Sequence, residues 1–179
     1  MTIRLLIPCL LLIGICCNAQ KVKNVSYVSG SGEKILRLEF TLPVDQKTAW
    51  KLFTTNEELK KWVAPIVHID LTTGGFMLTN YDSTKALEDS STIELGIVNY
   101  IDNEMLTYKI NLNSHFSAKA RREDGNLQEI VQFKAIGKRK TKIISSMVGW
   151  AKGSDWNKIY DFFAKGNTWT YEQMLKVIR

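Results

Sequence analysis

The sequence predicts an α+β domain in which a meander of antiparallel strands carries one long helix on a face. Three observations support this. From Ser154 to Ile178, Trp156, Tyr160, Phe163, Tyr171, Met174 and Ile178 recur at helical spacing, while Lys158, Lys165, Glu172 and Lys176 lie mostly off that stripe. A helix with so broad an apolar stripe needs a partner surface. Between Ile66 and Trp150, about six strand-like segments separated by turn residues supply one. Finally, the chain shows no repeat, low-complexity tract or interdomain linker. A long sheet curls, and the space between a curled sheet and a helix holds a ligand where side chains leave it open.

Taken in order, residues 1–19 read as a secretory signal peptide. Arg4 is a short positive region, and Leu5 to Ile15 is an apolar run of eleven, too short to span a bilayer. Cys17-Asn18-Ala19 then places small residues at the −3 and −1 positions, with cleavage before Gln20. The expected location is the periplasm or the exterior. All three cysteines (Cys9, Cys16, Cys17) fall inside this segment, so the mature chain would have no disulfide and no thiolate. A lipid anchor on Cys16 or Cys17 is the alternative, although Ile15 and Cys16 stand where a small residue is wanted. Residues 20–33, with Ser29-Gly30-Ser31-Gly32, read as a flexible leader. Residues 34–179 read as a single domain, long enough for a core of its own.

Lys34 to Leu42 alternates, with Leu36, Leu38, Phe40 and Leu42 on the apolar face of a strand that Pro43 ends. Val44, Ala49, Trp50, Leu52 and Phe53 then give a helix its apolar surface. Asn56 to Trp62 reads as a second short helix capped by Asn56, with Glu57 and Glu58 placed against the dipole and Pro65 as the stop. The strands follow: Ile66–Leu71, a Gly74-Gly75 turn, Phe76–Tyr81, a polar loop, and Thr92–Ile101 with Gly96 marking a bulge or close approach. Asp102-Asn103 turns into Glu104–Asn113. Arg121–Asn126 is a charged loop, and Leu127–Ile136 and Thr141–Trp150 complete the sheet. Ser154 or Asp155 should cap the final helix. Gly166, which costs about 1 kcal/mol against Ala in a helix interior, should mark a kink or close packing.

The net charge of +6 is spread over mixed clusters. Lys138-Arg139-Lys140 with Lys142 is the one basic run. It is short and lacks interleaved aromatics, so it reads as a hairpin turn and not as a nucleic-acid patch. His68 and His115 are the only histidines, at a spacing that does not form a metal site without cysteine. His68 and Asp70 would share a strand face, an arrangement able to orient an imidazole as general base but more ordinarily a solvated sheet pair. No nucleophile elbow, phosphate loop, zinc helix or cofactor motif is present. The sequence therefore supplies no catalytic residue, metal or cofactor to expect.

The aromatics carry more information. Five tryptophans (Trp50, Trp62, Trp150, Trp156, Trp169) are many for one small domain. They either fill the core or line a cavity. Trp156, Tyr160, Phe163 and Tyr171 would project from the helix toward the sheet, answered by Phe116 and Trp150. Tyr108, Tyr160 and Tyr171 would supply hydroxyls for a polar head, and His115 would stand at the rim.

Val44-Asp45-Gln46-Lys47-Thr48-Ala49-Trp50-Lys51-Leu52-Phe53 and Asn56-Glu57-Glu58-Leu59-Lys60-Lys61-Trp62 together resemble the opening of the START-like (SRPBCC) superfamily. The nearest branch is the one named for the heat-shock-protein ATPase activator homologue. Gly74-Gly75-Phe76, Gly96-Ile97-Val98, Trp169 and Leu175 also match its pattern, so the resemblance covers about Leu36 to Ile178. It implies a helix-grip fold, a curved sheet wrapped around the C-terminal helix, and binding of hydrophobic or amphipathic small molecules between them. The first expectation is a noncatalytic, exported binding module. The alternatives are a cyclase- or hydrolase-like enzyme using the same cavity and a protein-interaction domain of cochaperone type. The family has no universal catalytic set to carry over, and an export signal separates the chain from an ATP-driven chaperone.

Overall fold

A computed structural model describes residues 21–178. The segment expected to be a signal peptide, with its three cysteines, lies outside them. The strands are β1 (Lys23–Asn24), β2 (Tyr27–Val28), β3 (Lys34–Leu42), β4 (Ile66–Ile69), β5 (Phe76–Asn80), β6 (Ile93–Ile101), β7 (Met105–Ile110), β8 (Gln128–Gly137) and β9 (Lys140–Val148). The helices are α1 (Gln46–Thr54), α2 (Asn56–Leu59), α3 (Ala118–Glu123) and α4 (Ser154–Val177). The sheet runs β1-β3-β9-β8-β7-β6-β5-β4, with β2 also on β3, and every pairing is antiparallel. This is the α+β, helix-grip arrangement that the sequence leads one to expect.

The core follows the alternation. Leu36, Leu38, Phe40 and Leu42 of β3 are buried, as are Leu106, Tyr108 and Ile110 of β7. The Asp45 side chain caps α1 by accepting the Thr48 N–H at 2.9 Å. The Trp50 ring lies edge-on to Phe133 at 5.3 Å, which pins α1 to β8. The β8–β9 hairpin turns at Lys138-Arg139, and Lys142 reaches Glu39 at 2.6 Å, so the basic run is a solvated turn with an ion pair beside it.

Several local expectations are corrected. Residues 21–33 are not a free leader. β1 and β2 pair with the outer edge of β3, Val22 is buried, and Ser26 Oγ accepts the Arg37 N–H at 2.9 Å. Unpaired strand edges are exposed donors and acceptors, and this segment covers one. Asn56 does not cap α2, because its Oδ1 accepts the Ile69 N–H at 2.7 Å and ties the helix to β4. The charged loop at 121–126 is α3, capped by Ser117, followed by a 3-10 turn. Gly153, at φ 118°, occupies the cap position of α4, which moves Ser154 and Asp155 into its first turn. The irregularity near Gly96 is a register shift between Ile97 and Asn99.

Candidate functional site

α4 is buried at its two ends, through Trp156 and Ile159 and through Tyr171, Met174 and Leu175. Its middle turns rest on open space. A cavity of about 320 Å³ lies there. The helix contributes Phe162, Phe163, Gly166, Asn167, Trp169, Thr170 and Tyr171. The sheet contributes Met77 and Thr79 from β5, Ile93 and Leu95 from β6, Tyr108 and Ile110 from β7, and Glu129 and Val131 from β8. Phe53, Leu59, Trp62 and Val63 close the side formed by α1, α2 and the turn after them. Gly166 explains part of the opening. α4 runs through it unbroken, and a Cβ built there would meet nothing within 4 Å. It marks neither the kink nor the close packing expected of it. It is a missing side chain over a hollow.

The lining is mostly apolar, with Thr79, Asn167 and Thr170 as neutral polar groups and Glu129 as its one carboxyl. Glu129, only 8 % exposed, accepts the Ser145 hydroxyl at 2.6 Å and the Tyr171 hydroxyl at 2.8 Å, both on Oε1. Every sealed polar side-chain atom among the described residues has a hydrogen-bond partner. Oε2 takes part in neither bond, so it is open to the cavity that Glu129 lines. Burial pushes the Glu129 carboxyl above the usual range, and the Ser145 and Tyr171 hydroxyls only partly offset it. Burial also raises the Tyr108 and Tyr171 phenols, and the Glu129 charge adds to both shifts. Tyr108 stands opposite Glu129 in the β7–β8 register, its hydroxyl 3.9 Å from Met77 Sδ. The Trp62 indole N–H donates to the Leu52 carbonyl at 2.8 Å, and the Trp62 ring stacks on Tyr171 at 5.9 Å.

The residues singled out from the sequence divide into two groups. Tyr108, Phe163 and Tyr171 line the cavity. Trp150, Trp156, Tyr160 and Phe116 gather at the N-terminal end of α4, where Trp150 sits 5.0 Å from Tyr160 and 6.5 Å from Trp156. Phe163 joins the two groups, stacking on Phe116 at 6.0 Å. His115 is an exposed loop residue whose backbone N–H donates to Asn113. β4 ends at Ile69, though the Asp70 N–H still donates to the Phe76 carbonyl; Asp70 accepts the Thr72 hydroxyl and the His68 ring lies 6.0 Å from Phe76, so neither side chain is paired with the other. Glu129 was not singled out, although the sequence held a signal for it. It alternates with Val131 and Phe133 on the apolar face of a strand, and a carboxylate there is the informative exception.

The family model described as "Activator of Hsp90 ATPase homolog 1-like protein" matches residues 43–179. No curated protein matches. Solved structures share the fold at low identity. A conserved protein of unknown function from Enterococcus faecalis is 13% identical, with a TM-score of 0.64 over 88% of this chain and 77% of that one. CalU16 from Micromonospora echinospora is 11% identical, with a TM-score of 0.62 over 89% and 86% of the two chains. An HSP90 activator from Plasmodium falciparum is 13% identical, with a TM-score of 0.60 over 80% and 94%. The chain belongs to the activator of Hsp90 ATPase homologue 1-like family.

Proposed function

We propose that the protein is an exported binding module that holds one apolar or amphipathic small molecule beneath the middle of α4. The observation that supports this most is the unfilled cavity of about 320 Å³ with one buried carboxyl, Glu129, in its wall. Ligand sites span roughly 300–1,000 Å³ and combine apolar walls with a few placed polar groups. Tyr108, Phe163 and Tyr171 contact the ligand together with Phe53, Trp62 and Val131. Tyr81, Phe162 and Trp169 line the same space while remaining more than half exposed, and they frame its mouth. The N-terminal pattern of residues 1–19 supports an address outside the cytosol.

A protein-docking role is the second reading. It draws on the family description and on the exposed Phe162 and Trp169 rings. Export weighs against an ATP-driven chaperone as that partner.

Native mass spectrometry of the mature protein, purified from its own host, tests the first reading. A discrete added mass that organic extraction releases is the expected result. A bare protein that also fails to take up apolar probes would overturn it.

A further inference from the structure

The ligand's polar end is a matter of charge and donor count, and this inference rests on the binding role proposed above. The cavity lining holds one carboxyl, Glu129, and no Lys, Arg or His. A fatty acid or other anionic head would bring a negative charge to the Glu129 carboxyl with no cation to offset it. Oε1 of Glu129 already accepts two hydroxyls, while Oε2 opens on the cavity without a donor. The groups facing Glu129 are Tyr108 from β7, Ser145 and Met147 from β9, and Tyr171 from α4, with Tyr81 of the cavity mouth close enough to feel its charge; none is cationic. What the site lacks is a donor carrying positive charge. From this geometry we infer that the protein binds hydrophobic amines, with the ammonium on Glu129 Oε2 and the hydrocarbon along the apolar lining.

Binding of this kind requires the carboxylate. The Ser145 and Tyr171 hydroxyls favour that form, and an ammonium partner would complete it. Amine affinity should therefore rise with pH until Glu129 is ionised in the empty protein, and binding below that range should release a proton.

The test uses three probes that share one chain: octylamine, octanoic acid and n-octanol, titrated calorimetrically near pH 7.5 into wild type and Glu129→Gln. In wild type the amine should bind about tenfold or more tighter than the acid, the scale of one charge-assisted hydrogen bond. Glu129→Gln should erase that preference. Comparing amine with acid in wild type needs no variant, so a variant that folds poorly leaves the test intact. If n-octanol binds and the amine shows no preference, the amine assignment is overturned and the cavity role stands. If none of the three binds, both fall.

Discussion

The two halves of the space under α4 are built from similar residues and do different things. At the N-terminal end, Trp150, Trp156, Tyr160, Phe116 and Phe163 meet ring against ring, and the Trp156 indole N–H is taken by Glu123 at 2.9 Å. Nothing is left to bind. Three turns on, Phe53, Trp62, Tyr108 and Tyr171 are as aromatic, but Gly166 stands above them with no side chain, and a carboxyl replaces a ring in the wall. Aromatic content therefore does not separate a packed core from a ligand site. A missing Cβ and a buried acid with an open oxygen do.

That contrast can be broken from either side. The largest stability effect should come from the packed half. Trp156→Ala removes a side chain that is 2 % exposed and should cost about 3–5 kcal/mol by chemical denaturation, with little change in the affinity of the remaining folded protein for an apolar probe. In the open half, Tyr171→Phe deletes one of the two donors to Glu129. It should cost about 1–2 kcal/mol and raise the Glu129 carboxyl further, since that bond lowers it. NMR titration of the Glu129 carboxyl in both proteins checks the direction.

The pH dependence has a definite sign. Glu129 holds its proton more tightly folded than unfolded, where Glu ionises at about 4.3. Its contribution is fully present below that value and is lost as pH rises through the folded one. Other carboxylates act oppositely, as with Asp89, lowered to about 2 chiefly by the Ser91 backbone N–H. The difference between wild type and Glu129→Gln isolates the Glu129 contribution. Wild type should lose stability relative to the variant as pH rises from about 4.3 toward neutral. A constant difference across that range would show that the buried acid does not shift. The smallest effect is expected from Gly166→Ala. With nothing within 4 Å of the new Cβ, the variant should gain about 0.5–1 kcal/mol in thermal or chemical melts.

Much of the fold could be read because it rests on local alternation and period. Leu36, Leu38, Phe40 and Leu42 faced inward as their spacing required, and α4 covers nearly all of its expected span. The misses were made where long-range contacts overrode local preference. Asn56 gave its side chain to β4 instead of its own helix, and residues 23–28 found the edge of β3 instead of solvent. The site was only half legible. Periodicity says that Tyr108, Phe163 and Tyr171 point toward the sheet–helix space. It does not say which part of that space is filled, because filling depends on neighbours from β5 to β8 that are far apart in sequence. Glu129 and Gly166 were visible as a charge and a gap in two apolar patterns, and together they mark the hollow.

The most direct measurement is a fluorescence titration with the uncharged probe N-phenyl-1-naphthylamine, comparing wild type with Gly166→Phe. The new ring would point into the space beneath α4. Saturable binding to wild type, weakened about tenfold or more in a variant that melts normally, is the result expected of a ligand cavity at this position. Equal binding to the two proteins would place the probe elsewhere and contradict the assignment.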